Sequence, residues 1–66
     1  MKTLSVNGAD RCLNAGTVAG MVEEMELPAP LVLVEHNGQA LRKSEWDATP
    51  LRDGDRIEIL SISAGG

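Results

Sequence analysis

"TVAGMVEEM", Thr17 to Met25, is the one stretch of this 66-residue chain with the period of a helix. Val18, Met21, Val22 and Met25 fall at i, i+3, i+4 and i+7, a single apolar stripe, and the Thr17 hydroxyl is placed to accept one of the first unpaired N–H groups. Alone, this helix is weak. Gly20 inside it costs about 1 kcal/mol relative to Ala, and Glu23, Glu24 and Glu26 crowd the negative end of its dipole. Its stability must come from packing on a sheet, which the rest of the chain has to supply. The three glutamates read as its solvated face.

Strands lie on both sides of it. "KTLSV" alternates, with Leu4 and Val6 on one side and Thr3 and Ser5 on the other, and Asn7-Gly8 marks a tight hairpin. The return strand, about Asp10 to Leu13, is short and polar, as an edge strand is. Beyond the helix, "LPAP" stops helical geometry through Pro28 and Pro30. The four aliphatics Leu31 to Val34 then suit a near-central strand covered on both faces. Gly38 permits a turn into a short strand, "QALRK", and Ser44 caps a single irregular turn through "SEW". Asp53-Gly54 is a further turn, and Arg56 to about Ile62 is the last strand. One helix among about five strands, with the first and last strands as parallel neighbours, describes an α+β roll of the β-grasp, ubiquitin-like kind: a mixed sheet clasping one main helix. Its expected bounds are residues 1–62, followed by a flexible tail at residues 63–66.

Composition narrows the function. A chain this short buries only about 60% of its unfolded surface, which leaves little room for a deep catalytic cleft. Six Lys/Arg against ten Asp/Glu give a formal charge of −4, with the basic residues scattered, so neither nucleic acid nor membrane is an expected partner. Cys12 has no partner for an internal disulfide and reads as a small apolar filler, consistent with a reducing, cytoplasmic setting. His36 reads as a plain strand-end histidine, since nothing beside it completes a metal set; no bound metal or cofactor is expected. Trp46 reads as the filler of a core corner, and Asp53 and Asp55 as turn residues around Gly54. No Gly-rich phosphate loop, nucleophile elbow or zinc motif is present.

The tail is where chemistry can reside. Ser63-Ala64-Gly65-Gly66 carries almost no side chain, and two glycines minimise bulk around a terminal carboxylate. Such a segment reaches at most about 14 Å, enough to enter another protein's narrow active site as an extended thread. With "EWDATPLRDGDRIEIL" leading into Gly65-Gly66, the whole chain resembles the small sulfur carrier proteins of the ThiS/MoaD family, the thiamine-pathway carriers most closely. The molybdopterin carriers share the fold and tail but are typically longer.

The resemblance implies a protein cosubstrate and not an enzyme. The Gly66 carboxylate would be adenylated with ATP by a ThiF-like, ubiquitin-activating-type enzyme. A persulfide-bearing sulfur donor would convert it to a thiocarboxylate, and a ThiG-like thiazole synthase would take the sulfur. Ser63, Ala64 and Gly65 would thread into the partner's active site. Related carriers feed molybdopterin or amino-acid pathways through the same tail. Two further readings stand beside these: a ubiquitin-like modifier that acylates a lysine through Gly66, and a β-grasp interaction module with an inert tail. The residues themselves add a docking surface. With Ile57 and Ile59 on the core face, the strand period places Leu60 and Ile62 on the opposite face beside the tail, as a partner-binding patch.

Overall fold

The computed structural model describes residues 1–62. Strands β1 (Lys2–Val6) and β2 (Ala9–Leu13) form an antiparallel hairpin. Its turn residues Asn7 and Gly8 have φ of 50° and 83°, the paired positive values that match the twist of the strands. Helix α1 (Val18–Glu24) follows. A 3₁₀ turn at Ala29–Leu31 enters β3 (Val32–His36), and Asn37-Gly38 repeats the hairpin chemistry into β4 (Gln39–Leu41). A 3₁₀ segment, Lys43–Ala48, precedes β5 (Arg56–Ser61). The sheet order is β2-β1-β5-β3-β4, with β1 and β5 parallel at its centre and the other pairs antiparallel. This is the ubiquitin-like β-grasp that the sequence pattern leads one to expect.

The core forms on one face of that sheet. Leu4, Val6, Leu13, Val32, Val34 and Ile57 from the strands meet Val18, Met21 and Val22 from α1, and Trp46 and Leu51 close the side. The Thr17 hydroxyl accepts the Gly20 N–H at 3.1 Å and so caps the helix as its sequence suggests. The β1–β5 ladder outlasts β1 itself. The Asn7 side-chain amide donates to the Ile59 carbonyl at 3.1 Å and accepts the Ile59 N–H at 2.7 Å, acting as one more rung of strand.

Four expectations need correction. β3 is covered on one face only: Val32 and Val34 are buried while Leu31 and Leu33 are exposed. A single helix supplies one apolar stripe, and that stripe covers one side of the sheet. Cys12 is exposed and fills nothing, because its phase on β2 is opposite to that of buried Leu13 and it faces Thr3 across the hairpin. The 3₁₀ segment is capped from Arg42, whose N–H donates to the Glu45 carboxylate at 2.7 Å, so Ser44 lies inside the segment. Glu24 is more than solvated surface, since its carboxylate accepts the backbone N–H groups of Asn14 and Ala15 at 2.8 to 3.1 Å and ties the loop before α1 to the end of that helix.

Asp55 has a comparable structural duty. Its carboxylate accepts the Arg52 N–H at 2.9 Å and the Asn37 amide at 3.1 Å, and lies 2.9 Å from His36 Nε2. Burial pushes this carboxyl up, but hydrogen bonds from His36, Arg52 and Asn37, with the charge of His36, outweigh it and hold the group below its usual range. A depressed carboxylate adds stability that is present above its unfolded pKa and disappears as pH falls through the folded one. Asp55→Ala is therefore expected to cost about 1–2 kcal/mol near neutral pH. The gap to the parent in melting temperature should narrow below about pH 4. Thermal melts across pH check this, and a gap that persists unchanged in acid would contradict it.

Candidate functional site

β5 carries the candidate site because its two faces differ and its end leads into the tail. Ile57 is fully buried and Ile59 packs partly against the core. On the opposite face Leu60 and Ile62 are 51% and 42% exposed. β3 brings two more apolar side chains beside them. Leu33, 51% exposed, is the direct cross-strand partner of Leu60. The Ile62 N–H donates to the Leu31 carbonyl at 2.7 Å, which sets Leu31, 43% exposed, next to Ile62. Of the five large hydrophobics exposed among the described residues, four therefore form one patch, and only the terminal Met1 lies elsewhere. Contiguous exposed aliphatics of this kind are uncommon on a small domain, which makes this patch the candidate contact surface.

Sequence reasoning found Leu60 and Ile62 and missed Leu31 and Leu33. The unbroken aliphatic run from Leu31 to Val34 hides its own alternation. The signal available was the count of helices: with one amphipathic stripe in the chain, the sheet's second face has no cover. The other expected site residues, Ser63, Ala64, Gly65 and Gly66, lie outside the described residues.

The remaining candidates are not brought to this patch. His36 and Asp55 pair beside the start of β5, a strand's length from Ile62, roughly 20 Å. Trp46 is buried, with its indole Nε1 lacking a hydrogen-bond partner among the described residues, and belongs to the core. Cys12 lies on β2, two strands from β5, about 10 Å across the sheet. Among the described residues no group of three or more His, Cys, Asp or Glu side chains could hold a metal, and no helix is long and apolar enough to cross a membrane.

The last strand thus presents an apolar outer face just before the Gly65-Gly66 pair in sequence. A family model described as the ThiS family matches residues 4–66. The chain belongs to the ThiS family of sulfur carriers. The sulfur carrier protein ThiS of Thermus thermophilus is 36% identical over 61 residues, covering 92% of this chain and 95% of the relative. A thiazole synthase of Paramagnetospirillum magneticum is 33% identical over 64 residues, 96% of this chain, which spans only 20% of that enzyme's length. The crystal structure of a thiamine biosynthesis protein (ThiS) from Geobacter metallireducens superposes with a TM-score of 0.82 at 34% identity, covering 97% of this chain and 99% of the other. Members of this family are small carrier proteins and not enzymes.

Cys12 can then be weighed as a sulfur-bearing group. Its thiol is 3.7 Å from the Thr3 hydroxyl on an exposed strand edge, remote from the apolar patch. Cys12→Ser is expected to change stability by no more than about 0.5 kcal/mol and to leave sulfur loading intact. Intact-mass measurement of the loaded variant checks this. A folded variant that cannot be loaded would assign the thiol a role.

Proposed function

We propose that the chain carries sulfur on the Gly66 carboxylate and donates it to thiazole formation in thiamine biosynthesis. The observation that carries this reading is the family match, which runs through Gly66 and so includes the Gly-Gly ending together with the fold. A free carboxylate is a poor electrophile. Attack of its oxygen on the α-phosphorus of ATP, catalysed by a ThiF-like enzyme, expels pyrophosphate and leaves an acyl adenylate. The terminal sulfur of a persulfide protein then displaces AMP, and a thiol that cleaves the resulting S–S bond releases the thiocarboxylate. The carrier supplies no catalytic group to these steps. It presents the tail, residues 63–66, and the patch of Leu60 and Ile62 by which a partner holds the domain while the thread is in place.

The likeness to a thiazole synthase supports the acceptor, since a ThiS-like segment within such an enzyme places carrier and thiazole chemistry in one chain. A ThiG-like synthase is accordingly the proposed recipient, and the cytoplasm the proposed setting. Incubation with a ThiF-type enzyme, ATP and a persulfide donor should replace one terminal oxygen by sulfur, seen by intact mass. Addition of a thiazole synthase with its other substrates should consume that thiocarboxylate. Stable adducts on target lysines in place of a free thiocarboxylate would identify a modifier and overturn the carrier reading.

A further inference from the structure

Both Asn-Gly hairpins send the asparagine side chain to β5. Asn37, between β3 and β4, accepts the Arg56 N–H at 2.8 Å and donates to the Asp55 carboxylate at 3.1 Å, where the strand begins. Asn7, between β1 and β2, accepts the Ile59 N–H at 2.7 Å and donates to the Ile59 carbonyl at 3.1 Å, near the strand's other end. A turn with φ of 50° at its first position needs only a residue that tolerates positive φ, and glycine would serve it. The bonds from Asn7 to a residue 52 positions away are more than the turn requires. Their place matters because the two edges of β5 are unequally covered. β3 accompanies the strand to Val32 opposite Ser61, and Leu31 still accepts the Ile62 N–H. β1 stops at Val6, opposite Ile57. Past that point, among the described residues, Asn7 holds this edge, its own N–H donating to the Ile57 carbonyl at 2.9 Å and its amide closing on Ile59.

We propose that Asn7 is a positioning residue for sulfur loading: it fixes the direction in which β5 delivers the tail. The inference rests on the carrier reading above, in which residues 63–66 thread into the activating enzyme. Two-stranded ribbons twist more strongly than strands held on both edges. Where β1 ends, β3 and β5 would become such a ribbon, and the Asn7 amide supplies the missing third strand as far as Ile59. Without it the chain would leave Ile62 on a different heading. A rotation of about 10° there swings an end about 14 Å away by about 2 Å, more than a reacting group tolerates. The exposed side chains of Leu31, Leu33, Leu60 and Ile62 keep their mutual placement, since the β3–β5 register sets it. Loss of Asn7 should therefore be felt in turnover and little in binding.

The test compares Asn7→Gly with Asn37→Gly. Each keeps a residue suited to positive φ and loses two side-chain bonds to the region of β5, but only the first acts at the tail end. Both should melt below the parent, Asn37→Gly at least as low, because it also strips a donor from the Asp55 carboxylate. In ATP–pyrophosphate exchange with a ThiF-type enzyme, at a temperature where all three chains are folded, Asn7→Gly should lose kcat on the order of tenfold, with KM unchanged. Asn37→Gly should keep the parent's kcat. A parent-like kcat in Asn7→Gly, a kcat loss shared by Asn37→Gly, or a change confined to KM each overturns the positioning role alone. The parent carries a check that needs no variant: the Ile59 amide should be protected from hydrogen exchange by about tenfold or more, and free exchange there would overturn the rung itself. A parent chain that is not adenylated even at saturating concentration brings down the carrier reading and this inference together.

Discussion

Deleting Gly66 is expected to abolish adenylation while leaving the thermal melt where it was. Every buried side chain among the described residues lies at or before Ile57, and the backbone of Ile62 still donates to Leu31 in the shortened chain. Removing one terminal residue draws the carboxylate back by about 3.5 Å, whereas a reacting group misplaced by ~1 Å can lose on the order of a hundredfold in rate. Gly65→Val should act in the same direction, because β-branched bulk stiffens and widens the segment proposed to thread into the partner. Pyrophosphate exchange with the activating enzyme, read beside a circular dichroism melt, separates the two properties. Equal adenylation of the truncated and intact chains would show that Gly66 is not the reactive end.

The separation of fold from chemistry explains what could be read from the residues. Short-range rules governed the hairpins and the helix: Asn7-Gly8 with positive φ at both positions, Thr17 capping Gly20, and the stripe of Val18, Met21 and Val22 all follow from local sequence. The parallel pairing of the first and last strands was reachable for a different reason, since one helix with two strands before it and three after it can cover a single mixed sheet only where the two groups of strands meet. What escaped depends on contacts across long sequence separations. Nothing local to Glu24 announces that its carboxylate holds the N–H groups of Asn14 and Ala15. Nothing local to Asp55 shows that it joins His36 and Asn37 at the start of β5. The candidate site divides the same way. Leu60 and Ile62 followed from the two-residue period of one strand, while Leu31 and Leu33 required the β3–β5 register.

That register sets up a large contrast in stability between near neighbours on β5. Ile57→Ala should cost about 3 kcal/mol or more, as the side chain is fully buried and its removal leaves a cavity beneath α1. In a domain of this size such a loss lowers the melting temperature by roughly 12–25 °C, and total stability of a few kcal/mol puts the variant near unfolding. Leu60→Asp, three positions later, should shift stability by only about 0.5 kcal/mol, because Leu60 is 51% exposed and its outer side meets water. Binding reverses the order. A carboxylate in the middle of the apolar patch has to be desolvated against Leu33 and the partner, which should weaken the complex with the activating enzyme on the order of a hundredfold. Urea unfolding and calorimetric titration on both variants measure the two effects independently. If Leu60→Asp unfolds the chain, the open face is structural and the patch is no docking surface. If it is stable and binds like the parent, the partner grips the carrier elsewhere and the tail alone carries recognition.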